Sequence, residues 1–301
     1  IDVWICSHPN GHLQAVGTDA AGRKQYLYHV AWRTRRDQEK FDKMIEFASS
    51  LAKIRHATDM DLAREGLPKE RVLACAVRLL DRGFFRIGGE MYAESNDTYG
   101  LATMKKEHVR LEGPEVVFEY IAKSGKERLQ SVVDPAVHEV VAALKRRRGG
   151  GDELLAYRVG KRWVDVKSME INAYLKQVSG GDYSAKDFRT WHATVLAAQA
   201  LAVSSNALTS PTARKRAVAR AIQEVSHYLG NTPAVCRKSY VDPRVIDRFG
   251  SGWTIAPVID QLGEDAFDEP LWRTTIENAV LDLIEEPRES DLVERTSRRA
   301  S

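Results

Sequence analysis

Three short runs near the start of the chain, Val3–Cys6, His12–Val16 and Gln25–His29, are rich in strand-forming residues. They are separated by Pro9-Asn10-Gly11 and Ala20-Ala21-Gly22. Short runs of this kind, punctuated by turn-forming residues, predict β-strands joined by tight turns. Beyond Arg33-Thr34-Arg35-Arg36 the period changes. Phe41, Met44, Ile45, Ala48 and Leu51 recur at helical spacing, as do Val72, Cys75, Ala76, Leu79 and Leu80. The switch places a boundary near residue 38, giving a β-rich N-terminal domain over 1–38 and a mainly helical domain over 39–301.

One strand-rich island interrupts the helical body. Val116–Ile121 and Arg128–Val133 flank Lys123-Ser124-Gly125-Lys126 and read as a β-hairpin with a basic tip. Helices then resume. Ser184, with Asp187 three residues on, forms a capping box. Ser210-Pro211 opens another helix, whose stripe Val218, Ile222, Val225 and Leu229 ends at Gly230. Lys145–Gly151 reads as a flexible basic surface loop, and the charged tail after Pro287 as frayed. The fold class is therefore α+β: a small β-rich N-terminal domain, then a mostly α-helical domain containing a hairpin or small sheet.

Composition narrows the setting. The chain of 301 residues, 43% hydrophobic and 29% charged, is an ordinary globular polypeptide with enough length for a large core. Its net charge of +3 hides a basic middle, because acids gather around Glu264–Asp268 and Glu285–Glu294. That distribution permits a polyanionic partner. Cys6, Cys75 and Cys236 are odd in number and far apart, with neither metal-ligand nor disulfide-framework spacing. They point to a reducing, cytoplasmic setting. No apolar run reaches the ~18 residues of a membrane span. Because the chain opens at Ile1 inside an apolar run, further residues are expected to precede it.

The candidate chemistry starts from Leu229-Gly230-Asn231-Thr232-Pro233, with Tyr240 nine residues after the asparagine. A tyrosine just past a polar, helix-punctuating turn is a candidate nucleophile. If it attacks a phosphodiester without a metal, cations and hydrogen-bond donors must meet the charge that builds on phosphorus oxygens. Arginine suits the non-bridging oxygens through its planar fork, and lysine suits a leaving oxygen because it can give up a proton. Arg86, Lys123 and Arg189 each sit in a segment that fits such an electrophile, and one polar donor would complete the set. The dense Asp/Glu/His cluster of a two-metal nuclease is lacking. Taken one at a time, these residues have plainer roles. Arg86 fits a structural arginine paired with a carboxylate such as Glu94, and Lys123 a solvated turn lysine, which would leave Lys126 as the functional one. His192, one turn after Arg189, fits a packing histidine, and the cysteines fit small buried hydrophobes.

Five segments, in order, resemble those of type IB DNA topoisomerases, the compact poxvirus-like enzymes and their bacterial relatives. They are Arg23–His29; Gly83-Phe84-Phe85-Arg86-Ile87-Gly88 continuing through Tyr92 and Asn96–Leu101 to Thr103; Phe118–Lys126; Lys186-Asp187-Phe188-Arg189-Thr190-Trp191; and Leu229–Tyr240 with Val241-Asp242-Pro243-Arg244. Together they cover roughly residues 1 to 245. The resemblance implies that Tyr240 attacks a DNA phosphate to give a 3′-phosphotyrosyl intermediate, that Arg86 and Arg189 clamp its non-bridging oxygens, and that Lys123 protonates the leaving 5′-oxygen. Asn231 stands where the family often has histidine, and its amide can only donate or accept hydrogen bonds. Asparagine here fits the bacterial branch. The resemblance also assigns Gln25, Tyr26, Tyr28, Tyr92 and Lys186 to DNA, although alternation along a strand leaves open whether Tyr28 faces DNA or core. It implies a monomeric clamp on duplex DNA that relaxes supercoils of either sign without ATP, metal or other cofactor, in a nucleoid-associated, cytoplasmic setting. A tyrosine recombinase shares the Leu-Gly-His turn and tyrosine spacing, but usually carries His-x-x-Arg where this chain has Lys186-Asp187-Phe188-Arg189. A catalytically inactive DNA-binding protein is the third reading.

Overall fold

A computed structural model describes residues 2–20, 22–90, 93, 97–204, 210–261, 270–285 and 287–295. The chain divides into two compact units, residues 1–46 and 47–301.

In the first unit, β1 (Trp4–Ile5), β2 (Leu13–Thr18) and β3 (Lys24–Tyr28) form an antiparallel sheet in that order. The following helix, α1 (Val30–Leu62), begins before the basic run that was expected to precede it. Side-chain contacts explain the early start. His29 Nδ1 accepts from the Ala31 amide at 3.2 Å, satisfying a donor at the helix entry. Trp32 stacks on Tyr28 with ring centres 4.3 Å apart. Arg35 pairs with Glu39 one turn on at 3.0 Å, so the basic run is a helix face rather than a linker. The division between the units falls inside this helix, between Glu46 and Phe47.

The second unit is mainly helical. α2 (Lys69–Arg82) is buried from Arg71 to Asp81. A three-stranded antiparallel sheet follows, built from β4 (Val109–Glu112), β5 (Glu115–Ala122) and β6 (Lys126–Val133) in sequence order. β4 escaped the sequence reading because four residues are too short to show a period. The hairpin turn is Lys123-Ser124-Gly125, with Ala122 opposite Lys126; Ser124 and Gly125 both have positive φ. Phe118, Tyr120 and Ala122 share one face with Lys126, Arg128 and Gln130, since residues two apart point the same way.

Asp134 caps α3 (Pro135–Arg146), accepting from Ala136 and Val137. The expected basic loop at 145–151 is corrected here. Lys145 and Arg146 are helical, and the Arg147 guanidinium is buried, donating to the carbonyls of Leu144, Leu154, Gly151 and Glu153. Its fork closes a loop of orphan carbonyls, which cannot be read from a run of like charges. After the hairpin β7 (Ala156–Val159) and β8 (Arg162–Asp165) come α4 (Ser168–Ser179), α5 (Ala185–Val203), α6 (Pro211–Leu229), α7 (Pro233–Ser239) and α8 (Pro243–Gly250). Ser184 and Asp187 make the expected capping box of α5, and Ser210 Oγ accepts from Ala213 at the start of α6.

Phe188 and Trp191 of α5 are fully buried, with Phe47 edge-on to Phe188 at 4.9 Å. β9 (Trp253–Thr254), α9 (Ala256–Gln261) and α10 (Pro270–Ile284) complete the body, and β10 (Glu294–Arg295) pairs with β9. That pairing and the buried Val293 tie down residues expected to fray. Among the described residues, no helix is long and apolar enough to cross a membrane.

Candidate active site

The site is organised by the end of α6. Gly230 takes the left-handed conformation (φ 63°). Its amide donates to His227 O at 3.2 Å, and the Asn231 amide donates to Ser226 O at 3.2 Å. These two bonds are the Schellman arrangement, which glycine makes without strain and which fixes the residue after it. Asn231 is therefore placed by the helix ending itself. The next helix, α7, is capped by Thr232, whose Oγ1 accepts from Val235 at 3.3 Å, so Asn231 is not that helix's cap.

Two arginines converge on this turn. Arg86 Nη2 donates to Gly230 O at 3.0 Å and to Asn231 Oδ1 at 2.5 Å. Arg189 Nη2 donates to Leu229 O at 2.9 Å and to Asn231 Oδ1 at 3.0 Å, while its Nη1 donates to Phe84 O at 2.6 Å. Two donors on one amide oxygen fix the orientation of Asn231 and leave its NH₂ as the donating end. Arg189 is buried, and its Nε has no hydrogen-bond partner among the described residues. Burial, and then the charge of Arg86, lowers its guanidinium to about 10, which leaves it cationic at neutral pH.

Arg86 is placed by an irregular segment held backbone to backbone. Leu101 N donates to Arg86 O at 2.9 Å and Ala102 N to Ile87 O at 2.7 Å. A Cβ on Gly100 would lie 2.5 Å from the Gly88 backbone, so the motif's glycines permit this close approach. Among the described residues Arg86 pairs with the Asn231 turn; Glu94, the carboxylate suggested for it, lies outside them.

Tyr240 ends α7 and is half-buried. The Arg189 guanidinium carbon lies 5.3 Å from its ring centre. α5, which carries Arg189, also holds the tyrosine's backbone. Thr194 Oγ1 accepts from Asp242 N at 3.1 Å, and its single O–H is shared between Thr190 O at 2.9 Å and Tyr240 O at 3.3 Å. The Asp242 carboxylate in turn caps α8 and pairs with Arg244. One rigid helix therefore fixes both the arginine and the tyrosine, as a preorganised site requires.

The structure brings together Arg86, Arg189, Asn231 and Tyr240. Lys123 is exposed in the hairpin turn. The hairpin's other lysine, Lys126, reaches the same turn as the arginines, with Nζ 3.5 Å from Gly230 O. Lys186 is exposed in the first turn of α5. In the first unit, Tyr26 is exposed and Gln25 donates to Asp19 at 2.9 Å. Tyr28 is half-buried against Trp32. Tyr92 lies outside the described residues.

Sequence reasoning missed three participants: Thr194, Arg128 and Tyr120. Arg128 lies directly across the hairpin from Tyr120. Burial pushes the Tyr120 phenol above its usual range, against the pull of Arg128, Arg86 and Arg189. Only the strand alternation linking Tyr120 to Arg128 could have drawn attention to them.

His192 is a packing residue. It is buried edge-on to Phe84 at 5.5 Å, with Nε2 3.4 Å from Arg273 Nη2. Burial, then the Arg273 charge, pushes its imidazole down to about 3, so it is neutral at ordinary pH. Arg273 and Arg55 bracket Asp81 there, holding its carboxyl well below the usual range despite its burial. Cys75 and Cys236 are buried and Cys6 is half-buried, all as free thiols.

Comparison with known proteins places these features in a family. Residues 29–251 match the model of the eukaryotic DNA topoisomerase I catalytic core, and residues 1–19 match the bacterial DNA topoisomerase IB N-terminal domain. The chain is 29% identical to DNA topoisomerase 1B of Acanthamoeba polyphaga mimivirus over 248 residues, covering 80% of this chain and 73% of the viral protein. It is 20% identical to DNA topoisomerase 1B of vaccinia virus over 262 residues, covering 84% and 76%. DNA topoisomerase 1 of Daucus carota is 29% identical over 161 residues, covering 52% of this chain and 19% of the plant protein. With the catalytic-core model matched over well more than half its length, the chain belongs to the type IB DNA topoisomerase family and is an enzyme of that class.

Proposed function

We propose that the protein relaxes positive and negative supercoils by cutting and rejoining one strand of duplex DNA, as a monomeric clamp that needs neither ATP nor metal. The Tyr240 oxygen attacks phosphorus and loses its proton to solvent. The bond to the 5′-oxygen breaks as Lys123 donates a proton to it, leaving a 3′-phosphotyrosyl bond and a free 5′-hydroxyl. Rotation of the free end releases supercoils, and the reverse attack restores the strand. Because the phosphotyrosine conserves the phosphodiester's energy, no nucleotide is consumed. Arg86, Arg189 and the Asn231 amide meet the charge on the non-bridging oxygens, while Gln25, Tyr26, Tyr28, Tyr92 and Lys186 contact the duplex. The setting is the cytoplasmic nucleoid.

The observation that carries this reading is the pair of guanidiniums converging on one amide oxygen beside Tyr240. The unpartnered Arg189 Nε supports it, because a phosphate oxygen would satisfy a buried donor that otherwise costs stability. The direct test is supercoiled plasmid incubated with the protein in EDTA, without ATP. Plasmids of either sign should relax through a ladder of topoisomers. Persistent supercoiling with salt-sensitive binding would leave an inactive DNA-binding protein. Strand exchange between two specific sites would identify a recombinase.

Asn231 provides a sharper test of the clamp. Asn231→Ala should slow single-turnover cleavage on the order of 10²-fold, as for one lost oxyanion donor. Asn231→His, which can accept at one ring nitrogen and donate from the other, should retain much of the activity. Asn231→Asp should be the slowest, because it spends the arginines' charge on a carboxylate and brings a negative charge to the phosphate. An aspartate variant that cleaves like the wild type would remove Asn231 from the chemistry.

A further inference from the structure

A third arginine ends on the turn that presents Asn231. Arg128 Nη1 donates to His227 O at 3.0 Å, and its Nη2 donates to Tyr228 O. With its amide oxygen turned to the guanidinium, Gln130 on the same strand face accepts from Nε at 3.3 Å and Nη2 at 3.0 Å. The fork is thus occupied by protein oxygens. Arg128, Arg189 and Arg86 bind the carbonyls of residues 228, 229 and 230 respectively. The carbonyls of 228 and 229 are orphan acceptors at the negative end of α6, where a cation is favoured, and that of Gly230 follows directly after them.

Gly230 makes room for this contact. A Cβ there would lie 3.1 Å from Arg128 Nη1 and 3.3 Å from Cζ, so the guanidinium rests against the bare glycine backbone. Arg128 also stands on the hairpin whose turn holds Lys123, five residues before it, and Phe118 of that hairpin packs edge-on to Phe85 at 4.9 Å, next to Arg86. Arg128 therefore straps the hairpin of the acid to the helix ending that carries the clamp, with shorter bonds than the 3.5 Å contact of Lys126.

We propose that Arg128 is a positioning residue for strand cleavage: it sets the hairpin bearing Lys123 against the turn bearing Asn231 without itself touching the phosphate. This rests on the topoisomerase reading of the site. It separates Arg128 from the many basic side chains that would serve as phosphate contacts. A phosphate contact contributes to the salt dependence of DNA binding, whereas a strap between two protein elements does not.

The test compares Arg128→Ala and Arg128→Lys on a duplex that the wild type cleaves. Single-turnover cleavage by the alanine variant should fall on the order of 10²-fold, the scale of a small misplacement in an oriented site. Lysine should recover part of the rate, because its ammonium can still cap a carbonyl but lacks the fork. Non-covalent binding, measured with Tyr240→Phe also present, should keep both its affinity and its salt slope. Alanine cleavage within about threefold of wild type would overturn the proposal, since misplacement on the expected scale costs far more. A salt slope reduced by about one would also overturn it, by making Arg128 a phosphate contact. If the alanine variant does not fold, the lysine variant decides: a several-fold slower cleavage with unchanged melting supports the strap, and wild-type cleavage refutes it. A wild type that forms no adduct would instead count against the topoisomerase reading itself.

Discussion

Replacing Tyr240 with phenylalanine is expected to abolish covalent adduct formation and supercoil relaxation while leaving DNA affinity within a few-fold. The change removes only the attacking oxygen. The ring remains beneath the Arg189 guanidinium, and the backbone remains held by Thr194, so the surroundings have little reason to rearrange. Plasmid relaxation and denaturing-gel adduct assays measure the loss, and equilibrium binding to a short duplex measures what is kept. Normal adduct formation by this variant would exclude Tyr240 as the nucleophile.

The second large effect separates the clamp from the acid. Arg189→Ala removes a buried cation together with bonds to Phe84 O, Leu229 O and Asn231 Oδ1. Losing charge stabilisation alone should cost ~3–4 kcal/mol in the cleavage barrier, as for an oxyanion donor. Releasing the asparagine adds to that. Lys123→Ala should also cut slowly on an ordinary phosphodiester, for a different reason: the leaving 5′-oxygen departs unprotonated. A substrate with sulfur at that bridging position has a leaving group that needs little proton donation. It should restore cleavage by Lys123→Ala and leave Arg189→Ala slow. Lys126→Ala, which removes a peripheral contact to Gly230 O, should show the smaller defect of the two lysines. Equal rescue of the arginine and Lys123 variants would refute this division of roles, as would rescue confined to Lys126→Ala.

The features legible in the sequence were those made by local chemistry. Ser184 with Asp187, Ser210 before Pro211, and Gly230 after an apolar stripe all encode helix ends through nearest neighbours, and all are found at those ends. The hairpin around Lys123-Ser124-Gly125 is equally local. Arg189, Asn231 and Tyr240 could be named because the order of their motifs matched a family. What remained hidden depends on contacts far apart in the chain. Arg147 looked solvated among glycines because nothing near it announces that four carbonyls fold back around its fork. Arg128 sits in an unremarkable strand, and its partners are about a hundred residues away. Thr194 is one of two threonines on α5 with nothing nearby to mark it, and its bonds to Tyr240 and Asp242 exist only once α5 has packed against the junction of α7 and α8. The early start of α1 was masked by a run of like charges, of which Arg35 pairs with Glu39 one turn further on.

The most direct measurement of the central claim is the identity of the covalent linkage. The protein is mixed with cleavable duplex in EDTA, stopped with denaturant and digested, and the DNA-bound peptide is sequenced by mass spectrometry. Attack by Tyr240 would leave a peptide modified at that residue and joined to the 3′ end of the broken strand, with a 5′-hydroxyl that a polynucleotide kinase can label directly. A linkage at another residue, attachment to the 5′ end, or DNA released with no bound peptide while relaxation proceeds would contradict it.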